Sequence, residues 1–221
     1  MSACSYCFGK IMTETNLLDK RKLRGEKTRK NILEAARQLF ASQGFHGTTT
    51  RQITDRVGVA PGAIYNHFES KDSIFEAVLN KYHPWLQIPP SVEAAEGETL
   101  EEFVRDSANR MLVAWNKKPE DIRLHLIELI EFQGRHLPKL FEDTFTIMTG
   151  ILQRLREERQ ELETFPVVTL SRALLGLFFA YLMTDRFTGI PAISGFDDSS
   201  FDYFSDIYLA GLFTKEFGNN S

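Results

Sequence analysis

The sequence predicts an all-α fold, a small N-terminal domain of three helices followed by a larger helical domain. Three observations carry that prediction. Apolar residues recur at helical spacing almost throughout, and no stretch of any length alternates in the manner of a strand. Capping and breaking residues divide the chain into segments of helix length. The 221 residues, 43% of them hydrophobic, can bury a small module and a larger one. The longest apolar stretch, Ala173 to Met183, falls well short of the roughly 18 residues that a bilayer span requires, so no membrane partner is expected. The first ten residues, MSACSYCFGK, lack the basic and apolar regions of a secretion signal, and a cytoplasmic location is the expectation.

Residues 1–19 read as a flexible N-terminal tail. Its Cys4 and Cys7 are the only cysteines, and a lone C-x-x-C without a second ligand pair makes no structural zinc site. A first helix follows, in which Ile32, Leu33, Ala36, Leu39 and Phe40 form one apolar stripe and Gly44 supplies the C-terminal cap. Ahead of the stripe, Arg21, Lys22, Arg24, Lys27, Arg29 and Lys30 make either an arm for a phosphate backbone or a solvated charge run.

The stretch TTTRQITDRVGVAPGAIYNHFESKD is the most informative. Thr49 and Gln52 have capping-box spacing, so a short helix starts near Thr50 and runs through Ile53 to Val57, where Gly58 breaks it. Pro61 suits a first helical position, and a second short helix extends to about His67. Two short helices joined by a tight glycine turn form a helix-turn-helix, with Ile53, Val57, Val59, Ile64 and Phe68 as its small core. Thr54 stands at the helix contact, where its hydroxyl must bond back to a carbonyl. Ser70 caps the next helix, which reaches about Tyr82.

His83-Pro84 and the segment IPPSVEAAEGE read as a boundary, which divides the chain into a helix-turn-helix domain at 20–83 and a helical domain at 84–221. In the latter, Thr99 and Glu102 box the start of a helix from Leu100 to about Lys117. Ile122, Leu126, Leu129 and Ile130 fall on one face of the next, and Leu140, Phe141, Phe145, Met148, Ile151, Leu152 and Leu155 mark another after Pro138. From Pro166 to about Phe187 the chain is apolar nearly all round, and a final helix is expected from about Ser200 to Phe217. Such a pair from each of two chains can close a four-helix bundle, so a homodimer through the last two helices is expected, against the alternative of an internal core in a monomer.

Charge sharpens the division. The chain carries a net charge of −4, but residues 20–82 hold 12 Lys/Arg and 6 Asp/Glu, a net of +6, while residues 83–221 come to −9. A basic first third on an acidic remainder fits a phosphate-contacting module attached to a body that does not touch nucleic acid. Nothing points to an enzyme: there is no G-x-S-x-G elbow and no P-loop. His125 and Glu128, spaced H-x-x-E, lack a third metal ligand, so neither a metal nor a cofactor is expected. A metal-binding sensor or enzyme stands only as a distant alternative.

The block from Thr28 to Leu79, with ILEAARQLFASQGFHGTTTRQIT, the turn GVAPGAIYNHF and the following SKDSIFEAVL, resembles the TetR family of transcriptional regulators. It fixes about a dozen positions over three consecutive helices but spans less than a third of the chain. The resemblance implies a repressor that holds a palindromic double-stranded DNA operator as a homodimer and is released by a small-molecule effector bound in its C-terminal effector-binding and dimerisation domain. An effector-independent dimeric DNA-binding protein is the alternative.

On that resemblance Pro61 to His67 is the recognition helix, entering the major groove. Arg51 suits a bidentate contact with a guanine edge. Thr49, Thr50, Tyr65, His67 and Lys71 match positions that grip phosphates. Gly62 and Ala63 allow close approach, and Asn66 offers a hydrogen bond to base or phosphate. The helix from Ser70 transmits the effector signal, with Trp85 anchoring its end to the body. Trp115, His125, Phe132, Phe145, Met148, Phe178 and Tyr181 are the candidates for the effector-pocket lining, each of which could equally be plain core.

Overall fold

The computed structural model describes residues 5–116, 119–158 and 166–187, with residues 206, 207 and 210 beyond them. Among the described residues there is no strand, and the regular elements are eight α-helices and three short 3₁₀ turns. The helices are α1 (Ser5–Gly47), α2 (Thr50–Val57), α3 (Lys71–Tyr82), α4 (Ile88–Glu93), α5 (Leu100–Asn116), α6 (Ile122–Glu131), α7 (Leu137–Glu158) and α8 (Val167–Phe187). The expected final helix from Ser200 lies outside the described residues except at those three positions. No described helix is long and apolar enough to cross a membrane.

The chain forms two compact units. The first comprises Met1–His83 and Glu120–Leu137, and the second Pro84–Pro119 and Pro138–Ser221. The sequence division after His83 therefore leaves out a segment, because residues 120–137 cluster with the helix-turn-helix and not with the remainder of the region that begins at residue 84.

The first unit is built on α1. The expected stripe of Ile32, Leu33, Ala36, Leu39 and Phe40 is buried, and Ile53, Ile64, Phe68, Ile74, Phe75, Val78 and Leu79 pack with it. Gly44, at φ 78°, interrupts the helix geometry at the expected cap position, and the chain makes one more turn to Gly47. Upstream, the region expected as a flexible tail over 1–19 is helical from Ser5. Residues 10–24 contain neither glycine nor proline, and straight-chain residues extend an existing helix at little cost.

Leu124 and Ile127 of α6 complete this core. The expected face of α6 holds only in part: Ile122 is buried and Leu126 half-buried but Leu129 and Ile130 are exposed, whereas Leu124, His125, Ile127 and Glu128, with Asp121 just ahead of the helix, are buried. The polar members of that buried face are paired inside the unit. Arg37, itself buried, reaches Glu34, Glu120 and Asp121, and Glu128 accepts from both the backbone N–H and Nδ1 of His136. An apolar-periodicity rule cannot find a helix face whose burial is secured by hydrogen bonds.

In the second unit the expected boundary segment is helical. A 3₁₀ turn at Pro84–Gln87 leads into α4, which buries Ile88 and Val92, one turn apart. Its prolines lie in the first turn, where the missing N–H costs nothing. Thr99 and Glu102 close the predicted capping box on α5. Phe103, Val104, Met111 and Trp115 of α5, Leu140, Met148, Ile151 and Leu152 of α7 and Leu170, Leu174 and Leu177 of α8 are buried.

Candidate nucleic-acid interface

The helix-turn-helix is fixed by local hydrogen bonds that its sequence spells out. The Thr49 hydroxyl accepts from the Gln52 N–H at 3.2 Å, and the Gln52 Oε1 accepts from the Thr49 N–H at 2.7 Å. At the other end of α2, Gly58 adopts the left-handed conformation (φ 75°, ψ 36°) and its N–H bonds the carbonyls of Asp55 and Thr54. An L-residue with a Cβ would be strained there, so glycine sets the turn. The Thr54 hydroxyl donates back to the Arg51 carbonyl at 2.9 Å, as its position required.

The element after the turn is a 3₁₀ helix, Pro61–Asn66, where an α-helix to His67 is expected. Six residues with Pro61 and Gly62 at the start form too short a run to favour the α geometry, and His67 closes it by donating its N–H to Ile64. Only Ile64 is buried on this element. Pro61, Gly62, Tyr65 and Asn66 are exposed, with Ala63 and His67 half-buried. Tyr65, 59% exposed, is therefore a surface side chain and not a packing residue.

Arg51 projects from the first turn of α2, highly exposed, with Asp55 one turn on at 3.9 Å. An exposed i,i+4 pair at that distance holds the guanidinium weakly and leaves it able to swing to another acceptor. Two residues expected to grip phosphates are already engaged. The Thr49 hydroxyl both accepts and donates within its capping box. Lys71 donates from Nζ to the carbonyls of Phe45 and Thr48, each at 2.8 Å, and lies 4.1 Å from the Phe45 ring centroid. Those carbonyls lie in the last turn of α1 and just past its end, so the ammonium acts as a cap tying α3 to the α1–α2 turn. Lys71→Ala is accordingly expected to lower the stability of the unit by about 2 kcal/mol, a loss that thermal denaturation measures directly.

Segment 120–137 supplies contacts that sequence reasoning missed. The Glu131 carboxylate accepts from the N–H groups of Phe45 and His46, just after the Gly44 kink. Arg135 bonds Asp72 at the start of α3. Phe132 stacks on Phe75 at 4.8 Å and meets Phe45 edge-on at 4.6 Å. These partners are more than 50 positions apart in the chain, and no motif links them.

The seven candidates for an effector pocket are divided between the two units. His125 and Phe132 belong to the first unit, where His125 hydrogen-bonds His83 at 2.9 Å and Phe132 joins the aromatic cluster. In the second unit Trp115 is buried and donates from Nε1 to the Pro84 carbonyl at 3.0 Å, Met148 is fully buried and Phe145 half-buried. Phe178 and Tyr181 lie on α8, with side chains outside the described residues. Trp85 packs edge-on against Phe141 at 4.2 Å, within the second unit. Among the described residues no three potential metal ligands are grouped.

The profile of the family described as bacterial regulatory proteins, tetR family, matches residues 32–78, the stretch from the α1 stripe to the end of the α3 core. The chain carries a TetR-family helix-turn-helix stretch at residues 32–78. UidR of Escherichia coli, an HTH-type transcriptional regulator, is 28% identical to this chain over 175 residues, covering 75% of it and 85% of the relative. The repressor KstR2 of Mycolicibacterium smegmatis is 40% identical over 58 residues, 26% of this chain and 28% of the relative. A crystal structure of a tetR-family regulatory protein from Rhodococcus superposes with a TM-score of 0.62, covering 84% of this chain and 97% of the other at 19% identity. That structural likeness extends the shared fold beyond the matched N-terminal stretch.

Proposed function

We propose that this TetR-family regulator is a homodimeric transcriptional repressor that holds a palindromic operator through its helix-turn-helix and leaves it when a small molecule binds the second unit. The observation that carries the reading is the exposed surface formed by Arg51 and by Pro61, Gly62, Tyr65 and Asn66, on a turn rigidified by the Thr49–Gln52 box and Gly58. Small residues at the start of the 3₁₀ helix permit close approach to base edges, and Arg51 is the long side chain suited to a guanine. Thr50, Ala63 and His67, half-buried, stand next to these residues in the chain. Lys71 serves it indirectly, by holding the α1–α2 turn. Pairing of two chains through the last two helices would set two such surfaces one helical turn of DNA apart, about 34–36 Å.

Selection of bound sequences from random duplex DNA, run with a measurement of mass in solution, tests the reading. A dimer that enriches a palindrome is the expected result, and a dimer that enriches nothing would remove the DNA function. Arg51→Ala is expected to relax the choice at one base pair by about 1–3 kcal/mol while leaving the other positions unchanged. Release by an effector predicts thermal stabilisation by one compound of an apolar or cationic panel, about 2.7 kcal/mol at a hundredfold excess over Kd. A chain that responds to none while still binding its operator would be the effector-independent protein.

A further inference from the structure

The positive charge of the DNA-binding unit is not on its helix-turn-helix. Residues 31–82 hold five Lys/Arg and five Asp/Glu, so the motif from the α1 stripe to the end of α3 is neutral. Segment 120–137, which packs with it, adds two Arg and four acidic residues. The whole positive excess lies in residues 20–30, with seven Lys/Arg against the single Glu26.

The few cations of the motif itself are also largely committed. Arg37 is buried among three carboxylates, and Lys71 is bound to two carbonyls. Lys81 lies over the Tyr82 ring. A neutral surface on a protein of net charge −4 has no long-range attraction for a polyanion, yet phosphate neutralisation supplies most of the free energy of non-specific DNA binding.

Residues 20–30 are helical and continuous with the motif. They belong to α1, and Lys20, Arg21, Lys22, Arg24, Lys27 and Lys30 are all exposed. Arg29, within this run, fixes where it stands: its guanidinium lies 4.2 Å from the Phe68 ring centroid and donates to the His67 carbonyl at 3.4 Å. The basic helix is thus pinned at the end of the 3₁₀ element that presents the candidate base-reading residues. Arg21 and Lys22, eight and seven positions before Arg29, share its helix face.

We propose that the N-terminal extension of α1, residues 20–30, is a second DNA-binding element that contacts the phosphate backbone beside the recognition site and supplies most of the salt-dependent affinity. It rests on the DNA-binding reading above and adds a division of labour: the motif chooses the sequence, and the basic helix holds the strand. Replacing charges on the extension should lower affinity for every sequence alike and leave the preferred sequence unchanged.

The test uses the full chain and a labelled random-sequence duplex of about 40 base pairs, titrated at several salt concentrations. For Arg21→Ala/Lys22→Ala/Arg24→Ala the slope of log K against log salt should fall by about 2–3 relative to the native chain, since each lost phosphate contact removes about 0.9. Binding near 0.1 M salt should weaken by one to two orders of magnitude. Lys20→Arg/Lys22→Arg/Lys27→Arg, which keeps every charge, should retain the native slope. A triple-alanine variant with the native slope, or an arginine variant that loses it, overturns this inference while leaving the DNA-binding reading intact. A native chain that binds no duplex at any salt overturns both.

Discussion

Phe75→Ala is expected to destabilise the first unit by about 4 kcal/mol, the range for removing a large aromatic side chain from a closed core. Phe75 is fully buried and meets four rings: Phe40 at 5.3 Å and Phe45 at 5.5 Å, both edge-on, Phe132 stacked at 4.8 Å, and His136 at 6.0 Å. It therefore joins three stretches that are separate in sequence, α1, α3 and the turn after α6. The cavity left by alanine cannot collapse easily, because α1 and α3 are held by Lys71 and α3 and the α6–α7 turn by the Arg135–Asp72 pair. Native-state amide exchange should report faster opening of core amides in both α1 and α3. A loss below about 1 kcal/mol would mean that Phe132 and Phe75 do not hold segment 120–137 to the motif.

Acidification has a comparable expected effect, through His83 and His125. Both rings are buried, and one donates to the other between His83 Nε2 and His125 Nδ1 at 2.9 Å. Burial lowers the pKa of His83 to about 3, with the neighbouring His125 adding to the effect, and burial lowers that of His125 to about 4. An unfolded histidine titrates near 6.5, so as pH falls below that value the unfolded chain takes up protons that the folded pair refuses. Stability from the pair is thus complete well above pH 6.5 and declines as the pH falls to about 4 for His125 and about 3 for His83. With two groups the loss between pH 7 and 5 is about 4 kcal/mol. Urea denaturation across that range measures it. His83→Gln/His125→Gln should flatten the dependence between pH 7 and 5, and an equally steep slope in that variant would assign the pH response to other groups.

The two largest effects arise from contacts the sequence does not advertise. Phe75 and Phe132 are 57 positions apart, and His83 and His125 are 42 apart. His125 reads in the sequence as a pocket or H-x-x-E residue because its nearest legible neighbour is Glu128. In the fold Glu128 turns to His136 and His125 to His83. The resemblance implies Lys71 as a phosphate ligand, and in the fold its ammonium donates to the carbonyls of Phe45 and Thr48.

What the sequence determined by itself is a set of features fixed within about four residues. The Thr49–Gln52 and Thr99–Glu102 boxes, the left-handed Gly58, the Thr54 back-bond and the stripe from Ile32 to Phe40 follow from spacing alone. These are short-range hydrogen bonds and a 3.6-residue period, so the residue types carry the geometry with them. Tertiary structure alone decided that residues 120–137 join the first unit, that Arg37 is held by Glu120 and Asp121 across more than 80 positions, and which face of α6 is buried. Those outcomes depend on which distant side chains can satisfy one another's charge and hydrogen bonds once water is excluded, and no local pattern encodes that pairing.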